Sequence, residues 1–399
     1  MRICPTRFFQ RCAPTILVAL LAVSATAATY EVGPGKPLTS IGAVPWATLA
    51  PGDTVLIHWR STPYKEKWVI GRQGTAVAPI TISGVAGPEG QLPIIDGANA
   101  VTAPGLNYWN EERSVIKIGG SNTPADTTPT YIEISNLEII NAHQSSTFSN
   151  DGGNNQSYIA NAAGIHIEKG ENITIRDCIL RNNGNGLFVS SSDANPSRDI
   201  LVRGNYLYDN GNVGSIFHHN SYTAAIGITF ENNRYGPLLD GAGGNNLKDR
   251  SAGTVIRYNW IEGGNRQLDL VDGEDSIQIQ THPKYRETHV YGNLLIEFDG
   301  QGNRQIVHYG GDSGTTSAYR KGTLYFYNNT IVSTRTDRNT MLRLSTNDEH
   351  CDARNNIFYS TLPGSDLAFL AEAGVLDLTH NWVKPGWITS VVRQTDCSL

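Results

Sequence analysis

A short string that keeps returning constrains this chain more than any other feature. "GNYLY", "NNRYG", "YNWIE", "GNLLI", "NNTIV", "NNIFY" and "HNWVK" follow the related "RDCIL" and set Asp177, Asn205, Asn233, Asn259, Asn293, Asn329, Asn356 and Asn381 at one recurring position. The spacing, about 25 to 36 residues, is that of a solenoid repeat, in which no unit buries its own apolar face and stacking is obligatory. Each unit holds short alternating runs such as "ENITIRDCIL", "DILVRGNYLY" and "GTLYFYNNTIV", broken by Asn, Gly and Asp. Beyond the N-terminal segment no stretch shows ten residues of helical periodicity. Short strands with asparagines at one corner predict an all-β, single-domain parallel β-helix whose coils stack about 4.8 Å apart. The asparagines would form a ladder of hydrogen-bonded turns. A β-sandwich with Asn-rich turns is the competing all-β arrangement.

The chain opens as a targeting segment. Arg2, Arg7 and Arg11 precede the apolar run from Thr15 to Val23, and Ala25-Thr26-Ala27 offers a small-residue cleavage site. Residues 1–27 therefore read as a signal peptide, and the expected location is secreted or periplasmic. The apolar run is too short to span a bilayer, and no later stretch approaches about 20 apolar residues, so no membrane partner is expected. In an oxidising compartment Cys178, Cys351 and Cys397 remain. Cys351 and Cys397 are the expected pair, with Cys178 packed as a small hydrophobe, although spacing does not fix connectivity. The formal charge of −6 becomes about −9 without the three leading arginines, which excludes a general nucleic-acid binder; an anionic ligand would need a local basic patch.

The expected organisation is an N-terminal cap with the first coils over residues 28–120, regular coils over 121–360 and a C-terminal cap over 361–399, in a monomer. The polar stretch 143–164 reads as an insertion that overhangs one face.

Aligning the asparagine corners lets a second strand of each coil be written under its neighbours: "GIHIEKG", "GLFVSSS", "SIFHHNS", "NNLKDRS", "QLDLVDG", "QIVHYGG" and "MLRLSTN". The middle four bring His218, His219, Asn220, Lys248, Asp249, Arg250, Asp269, Asp272, His308 and Tyr309 into one polar band, roughly 14 Å long at the coil spacing. Taken alone, "KDR" is most often a solvated ion pair, and one of two adjacent histidines on a strand points away from its neighbour. Their recurrence at one place on the stack points instead to a site.

The whole chain after the signal resembles the right-handed parallel β-helix superfamily of pectate-lyase-like proteins. "HHNSY", "GNNLKDRSAGTVIRYN", "QLDLVD" and "VHYGG" resemble a group of exported bacterial β-helix proteins with HN-x-Y, NLK-x-R and LD elements. "LKDRSAGTVIRYN" is also similar to the lysine-bearing segment of the alginate lyase and chondroitinase B family. That resemblance implies a lysine base, an arginine acid on the next coil and calcium neutralising the substrate carboxylate. Lys248 matches the lysine, whereas Val271 stands at the arginine's place and the calcium-binding Glu-x-Glu is absent.

β-Elimination on a uronate polymer needs a base, positive charge on the carboxylate and an acid for the leaving oxygen. Lys248 is the expected base, its pKa lowered by Arg250 beside it, and Tyr309 or His219 the expected acid. Asn220, Tyr222, Asn246, Asp269, His308 and His218 are the expected substrate contacts. Asp269 and Asp272, with Glu274 and Asp275, are candidate calcium ligands, although acidic turns are common. The expected function is thus an exported lyase acting on an acidic polysaccharide. Three alternatives stay open: a glycoside hydrolase using Asp249 with Asp269 or Asp272, a uronate epimerase, and a non-catalytic carbohydrate binder.

Overall fold

The computed structural model describes Met1, residues 27–371 and residues 373–391. The targeting segment lies almost entirely outside the described residues, as does Cys397, and with it the expected Cys351–Cys397 pair. Cys178 is buried in the core, at 1% exposure.

The strands lie in three sheets of 12, 10 and 14, and from Glu171 onward each turn of the chain lays one strand in each, forming a right-handed parallel β-helix. One coil runs through Ile226–Glu231, Arg234–Tyr235 and Leu247–Asp249 before Ala252–Arg257 begins the next. First-sheet strands alternate, as "IGITFE" does, because one face packs inside and the other meets solvent. In-register pairing stacks Phe230, Ile256, Val290 and Phe326 in an interior column, all fully buried. Each such side chain contributes about 1.5–3 kcal/mol by leaving water. Among the described residues the only α-helix is one turn, Ile277–Gln280, and no helix is long and apolar enough to cross a membrane.

The asparagine corner is a continuous ladder. The Asn233 amide oxygen accepts from the Asn205 backbone N–H and from its side-chain amide, both at 3.0 Å, and the pattern continues through Asn259, Asn293, Asn329, Asn356 and Asn381. The residue before each rung sits in the left-handed region, including Tyr258 at φ 58°, a bulky residue that tolerates it only because the ladder fixes the turn. The first rung differs from the expectation. Asp177 occupies the left-handed position (φ 53°), and Cys178 takes the rung, its N–H donating to Asn205 at 3.0 Å.

The third sheet carries the polar band, with corrected registers. Ser221–Thr223 pairs with Leu247–Asp249, so Tyr222, not His218, lies beside Lys248. Leu247–Asp249 pairs with Leu268–Leu270, one residue away from the written alignment, so Lys248 lies beside Asp269. Side chains alternate with period two, and a one-residue slip therefore exchanges inside for outside. The outward row is Lys117, His166, Phe188, Tyr222, Lys248, Asp269, His308 and Arg343. The inward row holds Thr223, Asp249, Leu270, Tyr309 and Leu344.

Candidate active site

The middle of the outward row forms the floor of a cleft of about 770 Å³. Ile159 to Asn161, from the polar insertion, and Ile216 to His219 contribute to its walls, together with Glu274, Asp312 and Ser313. The insertion folds as an antiparallel hairpin, Thr147–Ser149 with Asn155–Ser157, before it reaches the cleft. These loops cover the sheet, which is why Lys248 is only 6% exposed although it points outward.

Lys248 donates to Asp269 at 2.7 Å and to Asp312. Arg250, on the turn after the same strand, donates to the Tyr222 hydroxyl (2.8 Å), the Asp272 carbonyl (2.7 Å) and Asp312 (2.8 Å), and pairs with Glu274 at 2.8 Å. One carboxylate, Asp312, thus bridges the two cations. Burial opposes the charge on Lys248, but Asp269 and Asp312 outweigh it and hold the ammonium above its ordinary pKa. The expected lowering by Arg250 is present but smaller, so Lys248 is a fixed cation and not a poised base. Burial also disfavours the Asp312 carboxylate, and the two cations reverse that and lower its pKa.

Asp269 organises the floor from below, 1% exposed. It accepts from Lys248, from the Asn245 amide at 2.7 Å and from His308 Nδ1 at 2.8 Å. Burial would raise its pKa, yet Lys248 and His308 hold it well below the usual carboxylate range. Because Asp269 takes the Nδ1 proton, His308 Nε2 is the acceptor for Ser345, 2.9 Å away. Burial pushes His308 down to about 4.

His219 is the neutral donor of the cleft. The Asn245 N–H donates to its Nδ1 at 2.9 Å, so the ring proton sits on Nε2. Burial, then Lys248, pushes its pKa to about 3. Gly244 makes this contact possible, since a Cβ there would lie 1.7 Å from the His218 carbonyl oxygen. The Tyr222 ring meets His219 edge-on at 5.5 Å and Phe188 at 5.0 Å. Burial raises the Tyr222 phenol, while Arg250 and Lys248 pull it back.

Of the residues expected at the site, Lys248, Arg250, His219, His218, Tyr222 and Asp269 border the cleft. His308 stands behind Asp269, away from the lining. Tyr309 is not an acid here: it points into the core beside Arg320 and is fully buried. Asn220 and Asn246 do not reach substrate either. They form a second interior ladder, Asn220 donating to Asn246 at 2.7 Å and Asn246 to the Glu262 carbonyl at 2.8 Å. Asp249 is likewise interior, held by Thr223, Ser251, Thr254 and Arg320, which removes it as a hydrolytic carboxylate. Asp272 is buried and accepts the N–H groups of Asp312 and Ser313. Asp312, Arg266 and Asn245 escaped the sequence analysis. The available signal was that acids and cations collect in the turns that follow third-sheet strands, as in "LVDGED" and "HYGGD".

No curated protein sequence matches the chain significantly. Among solved structures, an alginate lyase from Paenibacillus sp. str. FPU-7 superposes with TM-score 0.53 at 14% identity, over 84% of this chain and 93% of that one. The GH136 lacto-N-biosidase from Eubacterium ramulus superposes with TM-score 0.52 at 15% identity, over 89% of this chain and 68% of that one. At such identities the likeness is one of fold. Residues 94–297 match the family described as "Periplasmic copper-binding protein (NosD)". That segment is more than half of the 399 residues and contains most of the cleft floor, and on this match the chain belongs to the NosD family of parallel β-helix proteins.

Proposed function

We propose that this protein is an exported polysaccharide lyase that cleaves a uronate-containing polymer by β-elimination. The observation that carries this is the Asp312 carboxylate held between Lys248 and Arg250, which marks a carboxylate site at the cleft floor. A substrate uronate would displace Asp312 and take both cations. Their charge would then stabilise the carbanion that forms when the C5 proton leaves.

The roles differ from those expected from sequence. Lys248 and Arg250 neutralise the carboxylate. Tyr222, whose hydroxyl accepts from Arg250 at 2.8 Å, is the proton-transfer group by its position against the clamp: burial holds its phenol above the ordinary value, and the two cations offset part of that. His219 Nε2–H serves the leaving oxygen or a sugar hydroxyl. The base takes the C5 proton, the C4–O bond breaks with its electron pair going to oxygen, and the C4–C5 double bond forms. The alginate lyase superposition supports the scaffold for this chemistry, and the fold also carries a glycosidase, whose carboxylates here would have to be Asp312 and Glu274.

Copper, which the family description names, does not fit these residues. His308 uses both ring nitrogens and His219 Nδ1 accepts a backbone N–H. Among the described residues no three His, Cys, Asp or Glu side chains converge as a metal site. Asp269 and Asp272 do not converge on a calcium ion either: Lys248, Asn245 and His308 take the oxygens of Asp269, and the N–H groups of Asp312 and Ser313 take Oδ1 of Asp272.

The test is a panel of uronate polysaccharides followed by the ultraviolet absorbance of a 4,5-unsaturated uronate. Activity is expected with at least one polymer, with Tyr222→Phe losing about 10²–10⁴-fold in kcat and Lys248→Met losing activity without unfolding. A product with a saturated end would replace the lyase with a hydrolase. Full activity in Lys248→Met would remove the carboxylate clamp from the mechanism.

A further inference from the structure

Arg113 is a cation without a contact ion pair, although Glu168 and Glu112 act on it at longer range. It ends the turn Glu111–Arg113 and leads into Ser114–Ile118, the strand that brings Lys117 to the outward row. Its Cζ lies 5.1 Å from the Phe188 ring centroid, and Phe188 is part of the cleft wall. Arg113 Nε is buried and has no hydrogen-bond partner, and among the described residues the guanidinium makes no hydrogen bond or contact ion pair. The nearby Glu168 is already committed, to Lys117 at 2.8 Å and to Trp109 and Asn110. A second orphan stands beside it: His166 Nδ1, in a residue 2% exposed, with its ring 5.4 Å from Phe188. Two buried polar atoms without partners beside one cleft aromatic carry an unmet hydrogen-bonding cost.

We propose that Arg113, stacked on Phe188, forms a second carboxylate subsite of the cleft, an inference that rests on the uronate-binding function above. Phe188 lies two strands before Lys248 on the outward row, a separation of about 10 Å at the coil spacing. That is roughly the length of a disaccharide, so the clamp at Lys248 and Arg250 and the guanidinium at Arg113 would hold carboxylates on next-but-one sugars of the same strand. A planar guanidinium fixed on an aromatic face presents its N–H groups to a carboxylate in a two-pronged geometry that an ammonium does not share. Past Ile159 the lining turns acidic at Glu112, with the buried Glu111 behind it, which would repel further uronates and ends the binding register there. The ligand class is therefore a run of uronates, or a repeat with a uronate at alternate sugars, bound over about four residues.

The experiment is calorimetric titration of the full-length protein and its variants with uronate oligosaccharides, from disaccharide to hexasaccharide, prepared from alginate and from polygalacturonate. The wild type should gain about ten- to a hundredfold in affinity between disaccharide and tetrasaccharide, the worth of one charge-assisted carboxylate contact, and little beyond. Arg113→Met should lose that step while keeping the disaccharide affinity, and Arg113→Lys should recover only part of it. A length step unchanged in Arg113→Met, with wild-type binding intact, overturns the subsite alone. An Arg113→Met protein that weakens disaccharide and tetrasaccharide equally also overturns it, since that is the mark of a structural role. If the wild type binds no uronate oligosaccharide, the carboxylate clamp and the subsite fall together.

Discussion

Replacing His308 with Asn should make the protein less sensitive to acid, by an amount that follows from the burial of this ring. His308 is held down to about 4 in the folded chain, by burial first and against the pull of Asp269. In the unfolded chain it returns to about 6.5. The depressed folded pKa fixes the sign. Above about pH 7.5 neither state binds the proton and nothing is lost; as pH falls, the unfolded chain takes up a proton that the folded chain refuses, so stability drops until the folded pKa is reached. By pH 5 the loss is about 2 kcal/mol for this one ring. His219, pushed down to about 3, adds a similar increment, bringing the pair to about 4 kcal/mol. Asp269 lies outside this window, because a depressed carboxyl stabilises above its unfolded pKa of about 4 and loses that only in stronger acid. In His308→Asn the titrating group is gone from both states, while the new amide can still donate to Asp269. Urea unfolding at about pH 7.5 and pH 5 should show the variant losing about 2 kcal/mol less than the wild type between the two. Parallel losses would mean that His308 is already an imidazolium in the fold, and would refute both the neutral ring and its acceptance of the Ser345 hydroxyl.

Two further outcomes follow from the same floor. Asp312→Asn removes the internal anion that competes for Lys248 and Arg250, so KM for an acidic polysaccharide should fall by up to about tenfold with kcat preserved, read from initial rates; a higher KM would show that Asp312 contacts substrate directly. Asp269→Asn strips the buried partner from Lys248 and should cost about 3–5 kcal/mol in urea unfolding, much of it recovered in the Asp269→Asn, Lys248→Met double variant if the unpaired ammonium is the cause.

The repeat period, the asparagine corner and the location of the polar band were legible because each is a local statement repeated many times. Seven rungs from Asn205 to Asn381 fall where the strings place them, since a rung is defined by the turn in which it sits. Asp177 misled because a left-handed position and a rung are adjacent, and Asp suits the first as readily as the second.

What the sequence by itself determined is the solenoid and the coils on which its charges collect: Lys248, Arg250 and Asp269 had to lie near one another once the coils were stacked. The tertiary structure alone decided which way each side chain points and how much water it sees. A slip of one residue sends Tyr309 and Asp249 inward and keeps Lys248 and Asp269 outward, and no local string records that parity when both faces of a strand are buried. Only the fold brings Asp312 from 64 residues away onto Lys248 and makes it a fixed cation. The physical reason is that periodicity is written in nearest neighbours along the chain, whereas the charge state of a buried group depends on partners that only the stacking of coils supplies.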